Sequence, residues 1–389
     1  MEPDCSSPTT TCRVLSCGLV QYAVALSEHP NPGIAIGEAV GQILDQVGPG
    51  PDLAVLFIAG HHVDSARQSG EVISSTLGVQ TLVGTTAVSV LAHRQEIEES
   101  PAVVLWAGHT GPCRPLRLGA DSSSFPDIES GSSVVILADP FSYDPSVLLS
   151  TLPPQVEVVG GFASASSQPG GNRLLLDDAV YEDGAVAVAL PPGLGIRPLV
   201  SQGCRPVGEP FTVTEANDNL LIELGGRPSV DRLRDLVSTA DDRTRSLIGR
   251  GLHIGLVVDE QRESFELGDF LIRAVLGVDP SQGSVAVGDR VPVGTTVQFQ
   301  VRDAATASAE LRTLVQPLRA DSALVFTCNG RGTNLFGRSG HDAEHLSDGL
   351  ATTAVAGMFC AGEIGPVGSR HFLHGFTASS LLLGAQSID

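Results

Sequence analysis

Three stretches of the sequence share one grammar, and that repetition limits the possible folds more than any single residue does. Asp52–Gly60 (DLAVLFIAG), Ser132–Asp139 (SSVVILAD) and Asp321–Gly330 (DSALVFTCNG) are apolar runs that close on small or polar residues. Each precedes a helix-length segment, about 63–77, 145–152 and 341–350. Each of these leads to a second apolar run, at Leu82–Ala87, Val158–Ser164 and Val355–Gly362, and a third closes the unit at Ala102–Trp106, Ala185–Leu190 and Ser380–Leu383. Runs that are apolar on both faces are central strands covered by other layers. The repeated strand–helix–strand unit therefore predicts an α/β protein with mixed sheets layered against helices. Gly60, Gly84, Gly161, Gly330 and Gly357 are expected at strand ends. A missing Cβ there lets backbone approach a ligand closely, and open α/β sheets bind their ligands at such ends.

A chain of 389 residues exceeds one ordinary core, so two domains are expected. Residues 1–11, rich in Ser, Thr and Pro, read as a disordered tail, followed by a short strand at Arg13–Val20. Ile36, Val40, Ile43, Leu44 and Val47 recur at helical spacing until Gly48-Pro49-Gly50 stops them. The charged, turn-rich stretch Ser238–Arg250 is the expected boundary, giving domains 12–240 and 241–389.

Composition removes whole classes of partner and chemistry. The net charge is -21 and aromatics make up 4%; such a surface repels a phosphate backbone and offers few stacking platforms, so nucleic acid is not an expected partner. All 23 basic residues are arginine. Schiff-base, P-loop and kinase-type lysine chemistry is therefore excluded, and any fixed cation in a site is a planar guanidinium suited to carboxylates. The seven cysteines are scattered without a CxxC pair, which predicts reduced thiols in a cytoplasmic protein. Val14–Leu26, interrupted by Gln21 and Tyr22, makes a poor secretory signal. No run reaches the ~18 apolar residues of a membrane span, so no membrane association is expected. No GxSxG, HExxH, Walker or GxGxxG pattern is present.

Several ordered motifs resemble a known family. Ser201–Gly208 followed by Phe211–Thr214 is similar to the end of a FIST N-terminal domain, and Phe270–Asp279, Gly288–Gly294 and Val297–Asp303 to the start of a FIST C-terminal domain. Cys328-Asn-Gly-Arg-Gly332 with Leu335–Gly337 resembles that domain's signature, and Gly357–Pro366 with Leu373–Thr377 its closing motif. The resemblance runs over roughly 13–385 and is thinnest at 90–130. It implies a sensory module for a small, amino-acid-like metabolite, acting in intracellular signalling. No F-box-like, kinase, cyclase or methyl-accepting segment accompanies it, so output is expected to pass through an unidentified protein partner.

The site expected from these readings gathers Cys328, Asn329, Gly330, Arg331, Gly332, Gly357, Cys360, Gly362 and Glu363, with Gly161 and Arg205. Asn329 and the glycines offer backbone amides to an anion, Arg331 holds a carboxylate bidentately, and Glu363 receives an amine. The alternative for Arg331 is a tight turn that leaves it in solvent or paired to Glu363, and for Glu363 a structural ion pair with Arg331 or Arg370. Arg205 serves either the ligand or a domain interface. No cofactor and no metal are implied, although His341-Asp-Ala-Glu-His345 fits the HxxEH zinc pattern. His61 and His62 read as a solvated helix start. Two rival functions stay open: a cysteine-dependent enzyme for acyl transfer or hydrolysis, which needs a Cys328 thiol within reach of a histidine, and a scaffold without a ligand, which needs a filled cleft.

Overall fold

A computed structural model describes residues 21–388 apart from 123, 125–127 and 154; the tail and the strand expected at 13–20 lie outside the described residues. The three repeats each form a six-stranded sheet. In the first, Leu53–Ala59 runs parallel to Thr81–Ala87, Val103–Gly108 pairs antiparallel on its other side, and Tyr22–Ser27 extends the sheet. In the second, Ser133–Ala138 pairs with Glu157–Phe162 and Ala185–Leu190, with Arg114–Leu118 outermost. In the third, Ser322–Cys328 pairs with Val355–Cys360 and Ala378–Leu383, with Arg197–Ser201 outermost. The repeated unit read from the sequence is thus present three times with one topology.

Each unit lends a hairpin to a neighbour. The first unit's hairpin, Val90–Ala92 and Gln95–Ile97, pairs with Val355–Cys360 of the third. The third unit's hairpin, Glu363–Val367 and Arg370–His374, pairs with Glu157–Phe162 of the second. The second unit's hairpin, Leu174–Leu176 and Ala179–Tyr181, pairs with Thr81–Ala87 of the first. The exchange closes a ring of three. Residues 90–97, where the family resemblance is thin, carry one of its links.

The doubly apolar runs follow from this ring. Val55, Phe57, Trp106, Val135, Leu137, Leu324 and Phe326 face a single core shared by all three units, while Leu56, Ile136 and Val325 turn outward toward separate clusters. Trp106 ties two units together by donating its indole N–H to Ser322 Oγ at 2.8 Å. The helices form where expected. Pro32–Val47 is capped by Asn31, whose side chain accepts from Ile34 N, and buries Ile36, Val40, Ile43 and Val47. Ala66–Leu77 and His341–Leu350 follow the first strands of units one and three, and in unit two the helix is only Ser146–Ser150.

Between the outermost and first strands of the third unit the chain builds an eight-stranded antiparallel sheet from residues 204–302. Pairing of Leu252–Val257 with Thr296–Arg302 closes it on itself. Strands on both sides of residue 240 share this sheet. The stretch read as turn-rich, 238–250, is mostly helical: Ser229–Thr239 is followed by Asp242–Arg250, and Asp241 accepts from Thr244 N at 2.6 Å to cap the second helix. Its alternating charges are turn-to-turn pairs such as Arg245–Asp242, which favour helix.

The glycine expectation needs correction. Gly60 and Gly330 do follow strand ends, but Gly84, Gly161 and Gly357 lie inside their strands, Gly161 against Cys360; Gly160, beside it, resembles Gly84 and Gly357. A Cβ at Gly84, Gly357 or Gly160 would meet the carbonyl oxygen of Leu56, Val325 or Ile136 respectively. These positions need glycine because the neighbouring strand, not a ligand, approaches closely.

Candidate functional site

The three units place three equivalent junctions after their first strands, beginning at Gly60, Asp139 and Asn329. At the first, the buried His62 sets Nε2 against His29 O at 3.1 Å. At the second, Asp139 accepts from Phe141 N, Ser142 Oγ and Asn172 Nδ2. At the third, four buried polar atoms have no hydrogen-bond partner among the described residues: Asn329 Oδ1, Arg331 Nη1, Glu363 Oε1 and Arg302 Nε. Buried polar groups are almost always paired, so this concentration marks the third junction out from the other two.

Local structure fixes these side chains. Cys328 ends its strand, Asn329 N continues the ladder to Cys360 O, and Arg331 N closes a turn on Cys328 O. Gly332 has φ 54°, and a Cβ there would meet the Glu98 carboxylate at 2.7 Å and the Phe359 ring at 2.9 Å. Arg302 points its guanidinium at Gly330, donating to its carbonyl, and lies over the Phe376 ring at 5.2 Å. Gly161 pairs with Glu363 and packs against Cys360, while Phe162 N donates to Gly362 O. Gly161, Cys360, Gly362 and Glu363 thus meet where the lent hairpin joins the second unit.

Arg331 is fully buried, and its partner is Asp342 rather than Glu363. Nε and Nη2 donate to the two carboxylate oxygens at 2.7 and 2.8 Å. The bidentate face expected to receive a ligand is therefore already used, leaving Nη1. Thr327 Oγ1 and His341 Nδ1 also bond Asp342, at 2.7 and 2.8 Å. Burial alone would raise the Asp342 pKa, but the adjacent guanidinium and these bonds hold it well below the usual carboxylate range. Glu96, on the hairpin lent by the first unit, accepts from the amides of Gly340, Asp342 and Ala343 at the helix start. Burial, then the neighbouring Asp342, pushes its pKa up to about 7.

Glu363 is also fully buried. Its Oε2 accepts from Thr377 N and Oγ1 at 3.1 and 2.9 Å. Burial raises its pKa to about 8, against the pull of Thr377 and Arg331. The carboxyl is consequently neutral at pH 7. With Arg331 balanced by Asp342, Arg302 is the cation at this junction without a carboxylate in ion-pair range among the described residues. The sequence reading missed it; the signal was an arginine at the end of Val297–Arg302, directly before the helix cap Asp303.

Other expectations separate from the cluster. Arg205 bonds Asp303 and Thr244, holding the helix Asp242–Arg250 in place. Both nitrogens of His341 are engaged, by Asp342 and by Ser308 Oγ at 2.7 Å, which leaves neither free for a metal. Ser308, His341 and Asp342 line up as an acyl-transfer relay would. Ser308, however, sits inside the helix Ala304–Val315 with its hydroxyl also on Ala304 O. Burial pushes the Cys328 and Cys204 thiols up to about 12, and Cys360 well above the usual value. A protonated thiol is a poor nucleophile.

The two buried glutamates and two buried histidines set the pH profile. Burial lowers His253 and His374 to about 4, from an ordinary 6.5. Between pH 4.5 and 6.5 the folded glutamates hold protons the unfolded chain has lost, and the folded histidines refuse protons it takes up, so the slopes offset. Above 6.5 the histidine offset fades and the glutamates dominate, so stability falls as pH rises through their folded values. The expected net loss between pH 6.5 and 8 is about 1.5 kcal/mol, or roughly 2 °C in Tm for a chain of this size. Glu363→Gln should remove most of that slope in a pH series of thermal melts. A Tm constant across the interval would refute the assignment.

Beside the junction lies a cleft of about 1210 Å³ between the second unit and the closed sheet. Arg273 and Asp289 form an ion pair along it, and Glu157 Oε2 sits 3.0 Å from His371 Nε2. The buried Tyr143 hydroxyl on its wall has no partner among the described residues.

Family models decide the relationship. That of the FIST N domain matches residues 52–227 and that of the FIST C domain residues 229–366. The chain belongs to the FIST family. FIST domains are associated with small-ligand sensing in signal transduction. The "Uncharacterized protein Mb0898c" of Mycobacterium bovis is 40% identical over 388 residues, covering 93% of this FIST chain and 98% of the relative. "Uncharacterized protein MT0656" of Mycobacterium tuberculosis is 39% identical over 381 residues, covering 93% and 99%. Among the described residues of this FIST protein, no helix is long and apolar enough to cross a membrane.

Proposed function

We propose that this FIST protein is a sensor holding a small amino-acid-like carboxylate or zwitterion at its third junction and reporting it to a protein partner. The reading is carried by the four unpartnered buried atoms at Asn329, Arg331, Glu363 and Arg302. Arg302 Nε and Arg331 Nη1 supply donors for an anionic oxygen, with Arg302 as the uncompensated charge. Asn329 Oδ1 needs a donor such as an amine, and the neutral Glu363 carboxyl, its Oε2 occupied by Thr377, presents Oε1 as a further hydrogen-bonding group. The raised thiol pKa values speak against the rival of a cysteine nucleophile.

A thermal-shift screen of amino acids and related carboxylates tests this. A ligand at 100 times its Kd stabilises the folded state by about 2.7 kcal/mol, or about 3–4 °C here. Arg302→Gln and Glu363→Gln should each abolish the shift while the apo protein still melts cooperatively. A silent panel, or a hit indifferent to both substitutions, would reject the site. Arg331→Ala is a poor probe because it strands Asp342.

A further inference from the structure

The cleft and the junction meet at one residue. Phe376 lines the cleft, and its ring also lies 5.2 Å from the Arg302 guanidinium and 4.3 Å from the His253 ring. Next to it in sequence, Thr377 is held by Glu363. Phe376 has φ 71°, a left-handed backbone that bulky residues rarely adopt. Gly375 and Phe376 line the cleft on one side, while Phe376 and Thr377 contact Arg302 and Glu363 on the other.

The cleft is far too large for an amino acid alone, and beyond the range usual for small-ligand pockets of ~300–1,000 Å³. Leu149, Val156, Phe162, Leu271, Phe372 and Leu373 give it apolar walls. Its Arg273 is neutralised by Asp289, and Glu157 Oε2 lies 3.0 Å from His371 Nε2. Two cations near it have no carboxylate in ion-pair range among the described residues: Arg302 behind Phe376, and Arg370 at the exposed rim, over the Phe372 ring. Arg302 also has the unpartnered buried Nε, and Arg370 has none.

We infer that cleft and junction are two halves of one site for a carboxylate carried on an extended apolar chain, the carboxylate passing Phe376 to reach Arg302 and the chain remaining in the cleft. This rests on the head-group reading above and adds the chemical class of what is attached to the head. Phe376 is the positioning residue at the passage: its strained backbone makes an alternative conformation accessible, and its ring gives the chain an aromatic edge to pack against.

Calorimetric titration of the full chain with N-acylglycines of rising length, from acetyl to decanoyl and below their micelle concentrations, tests the inference. Affinity should rise about four-fold per added methylene until the cleft is filled. Leu373→Ser should flatten that rise. Arg302→Gln should weaken every member at least ten-fold and leave the slope intact, while Arg370→Gln should keep decanoylglycine within two-fold of wild type. Phe376→Gly, which suits the left-handed backbone, should speed decanoylglycine association at least several-fold in stopped flow. A flat series with acetylglycine still binding overturns the chain site and leaves the head-group reading standing. A rising series indifferent to Arg302→Gln overturns both. Equal binding of decanol reduces the cleft to a non-specific apolar surface and overturns the inference, as does a large loss on Arg370→Gln.

Discussion

Replacing Asp342 by alanine is expected to destabilise the protein by about 3–5 kcal/mol, the usual cost of stripping one partner from a buried ion pair. Arg331 would keep its charge at a position with no exposure, and Thr327 and His341 would lose their acceptor. On a chain of this size the loss is a Tm drop of about 4–6 °C. Replacing both partners, Arg331→Met with Asp342→Leu, should recover most of it, because two apolar groups carry no desolvation penalty. Denaturant unfolding of the three variants checks both expectations. An Asp342→Ala variant within about 1 kcal/mol of wild type, well below the buried-pair cost, would show that water reaches Arg331.

Gly357→Ala should cost about 3 kcal/mol or more, at the upper end of overpacking effects. The added methyl would run into the carbonyl oxygen of Val325, and both atoms belong to the central parallel pair of the third unit, where backbone cannot retreat. Gly160→Ala meets Ile136 O in the same way, whereas Gly84→Ala, 2.7 Å from Leu56 O, should be milder. Gly277 serves as the control, since a Cβ there meets nothing within 4 Å; its alanine variant should melt near wild type. Equal melting points for Gly277→Ala and Gly357→Ala would mean that the strands can slide apart.

How much of this was legible in sequence follows from physical range. The doubly apolar strands and the helix His341–Leu350 were readable because burial imposes hydrophobicity and periodicity locally. The lent hairpins were not, since strands of three residues, such as Val90–Ala92 and Gln95–Ile97, carry no period and find their partners in another unit. At the candidate site, Asn329, Arg331 and Glu363 emerged from their strand-end positions, and all three carry unpartnered atoms. The partner of Arg331 was misread because sequence does not reveal which carboxylate the helix start presents. Arg302 and the cleft escaped notice for a similar reason: both depend on how the inserted sheet docks against the ring.

The exchange of hairpins also sets an order on biosynthesis. The first unit's hairpin ends at Ile97, and the strand it pairs with ends at Cys360, 263 residues later (360 minus 97). At translation speeds of about 5–20 residues per second, that hairpin waits roughly 15–50 s for its partner to be made. The strand Glu157–Phe162 waits in the same way for Glu363–Val367, presenting an open edge to other chains meanwhile. A nascent chain stalled before residue 355 therefore carries several unmated edges, Arg197–Ser201 and Ser322–Cys328 among them, and the ring is protected from intermolecular strand pairing only once residues 355–383 have been made.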